Sequence, residues 1–147
     1  MPADAWYATA VLQAVKSGWM TAPGGTFSPA GNVTAGAMAN TLTALHIDVS
    51  TLTTLPRDGT TVLSKGLFLQ ILTEAFQPRL QAILKTKSQA EYSKVWNAIS
   101  DGIAHHNAIR MAILAGWTGM PQGSFPGNDL ITRAEMATIL SRVMGVR

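Results

Sequence analysis

The residues best suited to chemistry in this chain form one short run, Thr132-Arg133-Ala134-Glu135. Thr and Glu three apart are a capping box: the hydroxyl and the carboxylate each satisfy a backbone N–H at a helix start. Arg133 does not fit that purpose. A cation in a helix's first turn faces the positive end of the helix dipole, at a cost of roughly 0.3–1 kcal/mol. Something must offset it, either Glu135 or an anion bound at the same helix start. A guanidinium suits a planar carboxylate because its fork donates two parallel hydrogen bonds.

Trp19 and Trp117 each follow a glycine, Gly18 and Gly116. That place beside a loop favours partial exposure, where a flat ring can stack on a sugar face. Trp6 and Trp96 read as packing residues. His105 and His106 are adjacent, with Asp101 four before His105. Adjacent helical residues do not share a face, and a zinc site needs three or four ligands, so a surface histidine pair is the better account and no metal is expected. There is no cysteine, which excludes disulfides and a thiol nucleophile. No phosphate loop, nucleophile elbow or paired-carboxylate motif occurs, so neither an enzyme nor a cofactor is expected.

The elements that hold these residues repeat. Residue n of the N-terminal part meets residue n + 98 without a gap. Ala10, Ala14, Gly18, Trp19, Pro23, Gly25, Phe27, Thr34, Met38, Ala39 and Leu42 are identical to their partners from Ala108 to Leu140. The shared unit reads as helix, Gly-Trp turn, loop, helix. Gly18 and Gly116 are C-terminal caps, and Phe27 anchors its loop in the core. Thr34 and Thr132 are N-caps. Met38, Leu42 and Leu45 line one helical face, as do Met136, Ile139, Leu140 and Val143. A weaker middle copy has Ser64 as N-cap and Phe68, Ile71, Leu72 and Phe76 as its apolar face. Its first helix is poorly supported, because the stretch after Leu45 is rich in threonine.

The repeats run over about 4–46, 47–77 and 102–147. Linking helices fill about 78–101, one opening on the capping box Ser88-Gln89-Ala90-Glu91. All of this predicts an all-α chain of 147 residues in one domain.

Charge is scarce. Only 13% of residues are charged and the net charge is +3, far short of a nucleic-acid binder. Arg79, Lys85, Lys87 and Lys94 make the most basic stretch, a solvated face. Apolar residues reach 47%, which excludes a disordered chain. No run is long enough for a membrane span. Asp4 stands where a signal peptide needs a base, so no export signal is expected in the chain as given.

The stretch from Ala108 to Gly145 resembles the S-layer homology (SLH) module of bacterial surface proteins. Gly116-Trp117, Gly123-Ser124-Phe125 and Ile131-Thr132-Arg133-Ala134-Glu135 carry the resemblance. The other copies keep the frame but not the charge: Ala35 and Ala37, then Lys65 and Leu67, occupy the Arg and Glu positions. The resemblance implies a pseudo-threefold arrangement of three helix-loop-helix repeats around a central bundle. It also implies grooves that bind an anionic, pyruvylated secondary cell-wall polysaccharide. By that resemblance Trp117, Arg133, Glu135 and Gly116 are the glycan-binding candidates, Gly116 by allowing close backbone approach, with Trp19 and Lys65 in the eroded copies. The expected role is a non-catalytic anchor of an extracellular, cell-wall or S-layer protein, fused to a larger surface protein. The alternative is a structural subunit that reuses the fold for self-assembly in a virion or extracellular shell.

Overall fold

The computed structural model describes residues 6–22, 27–119 and 127–145. The loop motifs at 23–26 and 120–126, which include Gly123-Ser124-Phe125, lie outside the described residues, as does the N-terminal segment 1–5. The described chain is all-α: α1 (Ala8–Lys16), α2 (Ala35–Ala44), α3 (Lys65–Ala75), α4 (Gln77–Leu84), α5 (Gln89–Ala98), α6 (His106–Leu114) and α7 (Arg133–Val143). No helix among the described residues is long and apolar enough to cross a membrane.

Two compact units divide the chain: Met1–Leu63 with Leu130–Arg147, and Ser64–Asp129. In the first, α1 packs against α7. α1 buries Ala8, Val11 and Ala14, and α7 buries Met136, Ala137, Leu140 and Val143. Met38 and Leu42 of α2 are fully buried. In the second unit α6 is the hub, touching α3, α4 and α5. Its Ala108, Ile109 and Ala112 are buried, as are Phe68, Leu69, Ile71 and Leu72 of α3.

The helix boundaries follow local chemistry. Thr34, Ser64, Ser88 and Thr132 each accept a backbone N–H three residues on. Ser88–Glu91 and Thr132–Glu135 close full capping boxes. α1 and α6 end alike. Trp19 N–H donates to Ala14 O at 2.8 Å and Trp117 N–H to Ala112 O at 2.9 Å. Gly18 and Gly116 sit at φ +80° and +79°. These are Schellman motifs, which need a left-handed residue just past the helix. The threonine-rich stretch after Leu45 forms only a 3-10 turn, Val49–Thr51, capped by Asp48. Threonine loses side-chain freedom in a helix, and Asp, Ser and Thr offer the backbone competing bonds. The first helix of the middle repeat is reduced to that turn.

One bonding pattern recurs at the start of each repeat's second helix. Arg133 N–H donates to Gly31 O and Ala134 N–H to Pro29 O. Ala35 N–H donates to Thr61 O and Gly36 N–H to Gly59 O. Lys65 N–H donates to Asp129 O and Gly66 N–H to Gly127 O. Each helix start thus spends its first two free N–H groups on the loop of another repeat, which removes the usual orphan donors. Two residues before the starts of α2, α3 and α7 stand Val33, Leu63 and Ile131; Leu63 N–H donates to Val33 O and Ile131 N–H to Leu63 O. These three repeat-equivalent residues are all buried.

Candidate functional site

Arg133 opens α7, and its guanidinium reaches the loop of the first repeat. It donates to the backbone carbonyls of Phe27 and Thr21. Its central carbon lies 4.3 Å from the centroid of the Phe27 ring, within the range of a cation–π contact. Phe27 is itself buried, which fixes the ring. The unfavourable cation at this helix start is therefore offset by two carbonyl dipoles and an aromatic face. Burial pulls the guanidinium's pKa below its ordinary value, but an arginine stays charged.

Glu135 has a different task. Its Oε1 accepts from Thr132 N–H at 3.0 Å, while Glu135 N–H donates to Thr132 Oγ1 at 3.1 Å. The capping box accounts for both side chains at this position.

Beside Arg133 lies a cavity of about 200 Å³. Trp19, Asn32, Asn40, Thr41, Arg133 and Met136 are among its lining residues. Trp19 is half-buried. The Schellman turn places that ring: Gly18 at positive φ turns the chain sharply, and Trp19 follows it into the cavity wall. The lining combines a flat aromatic face, two amides, hydroxyls and a guanidinium. Amides and hydroxyls both donate and accept, as sugar hydroxyls require.

One expectation about this site needs correction. Trp117 was expected beside Arg133 and partly exposed. It belongs to the Ser64–Asp129 unit and is only 1% exposed. Trp19, the eroded copy's tryptophan, shares the cavity with Arg133 instead. Gly116, the glycine of the Trp117 turn, sits at φ +79°. A Cβ placed there would meet nothing within 4 Å, so its conformation at positive φ is what requires glycine. Lys65 is half-buried at the start of α3, where its N–H bonds Asp129 O.

Other sequence readings also shift. Trp6 is 71% exposed and does not pack in a core. Trp96 is half-buried. Asp101 ion-pairs with Arg110 at 2.9 Å and approaches His106 at 3.9 Å, rather than His105. His105 takes a left-handed conformation at φ +61° and precedes α6 as its N-cap. Among the described residues no three His, Asp or Glu side chains group for a metal ion.

Sequence reasoning missed Asn32, Asn40 and Thr41. Asn40 and Thr41 lie within α2, between positions read only for their apolar face. The signal was available at Thr41, which is 4% exposed beside the buried Leu42, a place where polar groups need partners; Asn40 is exposed and gave none.

The position that Arg133 holds in the last repeat is Ala35 in the first. A larger cavity of about 560 Å³ opens there. Ala35, Gly36, Ser50, Thr51, Arg57 and Gly59 are among its lining residues. The Gly59 and Thr61 acceptors match Pro29 and Gly31 in register, so Arg57 takes the place of Phe27.

No known protein family matches the chain, and no curated protein matches it.

Proposed function

We propose that this protein is a non-catalytic glycan-binding module and that the Arg133 cavity takes an acidic sugar. The observation that carries the reading is the lining: Trp19, Asn32, Asn40, Thr41 and Arg133 around one cavity. A pyranose offers an apolar face to an aromatic ring and hydroxyls to amides. A carboxylate on that sugar would meet the guanidinium, which has five N–H donors and gives two bonds to loop carbonyls. At about 200 Å³ the cavity falls below the usual size of drug-sized pockets, so it suits one terminal ring rather than a chain.

The SLH resemblance supports the same conclusion and supplies the polymer class, an anionic secondary cell-wall polysaccharide. The permuted helix-start bonds support its pseudo-threefold arrangement: repeat three donates to repeat one, one to two, and two to three. The protein would then act at the cell wall or S-layer as the anchor of a surface protein. The test is co-sedimentation of the purified chain with Gram-positive wall sacculi. Retention, followed by release when the secondary polymer is extracted, supports the reading. Protein left in the supernatant refutes it.

A second reading, an assembly subunit of a shell, has one observation in its favour. Trp6 is 71% exposed and Leu12 of α1 is 65% exposed. Sedimentation velocity separates the two: a stable monomer that binds sacculi excludes the assembly reading.

A further inference from the structure

The linking segment has no counterpart in the first repeat, yet it carries two ordered aromatic rings. Tyr92 and Trp96 stand four residues apart on α5, their ring centroids 5.7 Å apart at 39°. That spacing places them on one helical face. Gln89, Ser93 and Asn97 complete the face, and the five residues line an open groove of about 420 Å³.

Both rings are held from behind. Tyr92 O–H donates to Leu84 O at 3.2 Å. Trp96 has the Arg110 guanidinium 5.2 Å from its centroid. Arg110 is itself 4% exposed, donates to the carbonyls of Trp96 and Ile99, and pairs with Asp101 at 2.9 Å. A buried arginine anchored in this way fixes the indole plane. The groove side of both rings therefore forms a platform whose ordering cost is met on folding rather than on binding.

We propose that this α5 face is a second saccharide-binding surface, one that takes an uncharged, β-linked pyranose chain. Three features select that ligand. The two rings offer successive stacking surfaces, which favours a chain of flat, equatorially substituted sugars over a single ring. The lining amides and hydroxyl supply donors and acceptors of neutral type. No lining residue carries a charge, so an acidic sugar would lose solvation without gaining a cation. The surface is independent of the Arg133 cavity: it lies within the Ser64–Asp129 unit, and Arg133 and Trp19 lie in the other.

The experiment is a nitrogen-15 NMR titration of the full chain with cellotriose and with chitotriose, with glucuronic acid as the charged control. The expected result is movement of the Trp96 indole N–H and of the backbone amides across α5 with a neutral trisaccharide, and not with glucuronic acid. Ser93→Glu puts a carboxylate into the groove lining at an exposed position and should abolish the response. Gln89→Ala with Asn97→Ala, also exposed, should weaken it by about tenfold. Silence at Trp96 with millimolar probe overturns the proposal. So does a Ser93→Glu variant that binds as the parent does. Shifts on α5 that grow with protein concentration alone would make the face a protein contact and also overturn it. The Trp19 indole signal reports the acidic-sugar cavity separately, so failure of one site is distinguishable from failure of the other.

Discussion

Replacing Arg133 with alanine should cost about 2 kcal/mol of stability, and the figure can be built from its contacts. The guanidinium gives one bond each to the carbonyls of Phe27 and Thr21. Charged hydrogen bonds contribute ~1.5–3 kcal/mol when buried, and about 1 kcal/mol each is the fair value at this partly solvated site. The Phe27 ring at 4.3 Å adds a cation–π contact of about 0.5–1 kcal/mol. Removing the cation also relieves roughly 0.5 kcal/mol of repulsion from the helix dipole. The balance is about 2 kcal/mol, which corresponds to a fall of about 6 °C in Tm for a chain of this length. Urea unfolding followed by tryptophan fluorescence measures it. Arg133→Lys keeps the charge but not the fork, so it should lose about half as much. If Arg133→Ala unfolds within about 0.5 kcal/mol of the parent, the guanidinium does not bolt the loop to α7 and the reasoning fails.

Gly18→Ala and Gly116→Ala should each cost about 1–2 kcal/mol, and by similar amounts, because both residues sit at positive φ with open space where a Cβ would go. Unequal melting shifts would mean that one of them has a packing role. Arg110→Ala should cost about 3 kcal/mol, since it strips the buried Ile99 carbonyl of its donor and the Trp96 ring of its support. Asp101→Asn should cost under about 1 kcal/mol, because the Asp101 side chain is 84% exposed. Denaturant melts that rank these two the other way would refute the burial argument. The Asp58 carboxyl is held below its ordinary value by the Thr60 hydroxyl and then by the Thr60 N–H. Its folded value is depressed, so the turn's contribution is fully present above the unfolded value near ~3.9 and is lost as pH falls through the lower folded value. The Thr60 amide resonance should titrate below about pH 3.9; a midpoint at or above it contradicts the assignment.

Much of the fold was legible because caps and repeats are local signals. Thr34, Ser64, Ser88 and Thr132 cap helices where the sequence places them, and Gly18 and Gly116 end helices as expected. The degraded first helix of the middle repeat was visible as threonine content. The site was legible only in part. Spacing singled out Arg133 and both Gly-Trp tryptophans, but spacing within one repeat cannot say which repeat's tryptophan an arginine meets. That choice is made by the helix-start bonds, which join α7 to the loop of the first repeat. Trp19 therefore lines the cavity, while Trp117 belongs to the Ser64–Asp129 unit and is buried. Arg133 looked unexplained by capping for the same reason: its partners, Phe27 O and Thr21 O, lie more than a hundred residues away along the chain. Arg110 gave no warning at all, because it sits between the apolar Ile109 and Met111 of an otherwise ordinary amphipathic helix.

The central claim is that the cavity beside Trp19 and Arg133 holds an acidic sugar. Titration of the chain with a pyruvylated disaccharide, read at the Trp19 indole N–H, tests it most directly. The expected result is a saturable shift at Trp19 with amides of Asn32, Asn40 and Thr41 moving together, and loss of the response when the pyruvyl carboxylate is esterified. A Trp19 signal that stays still at saturating disaccharide, or one that responds equally to the ester, contradicts it.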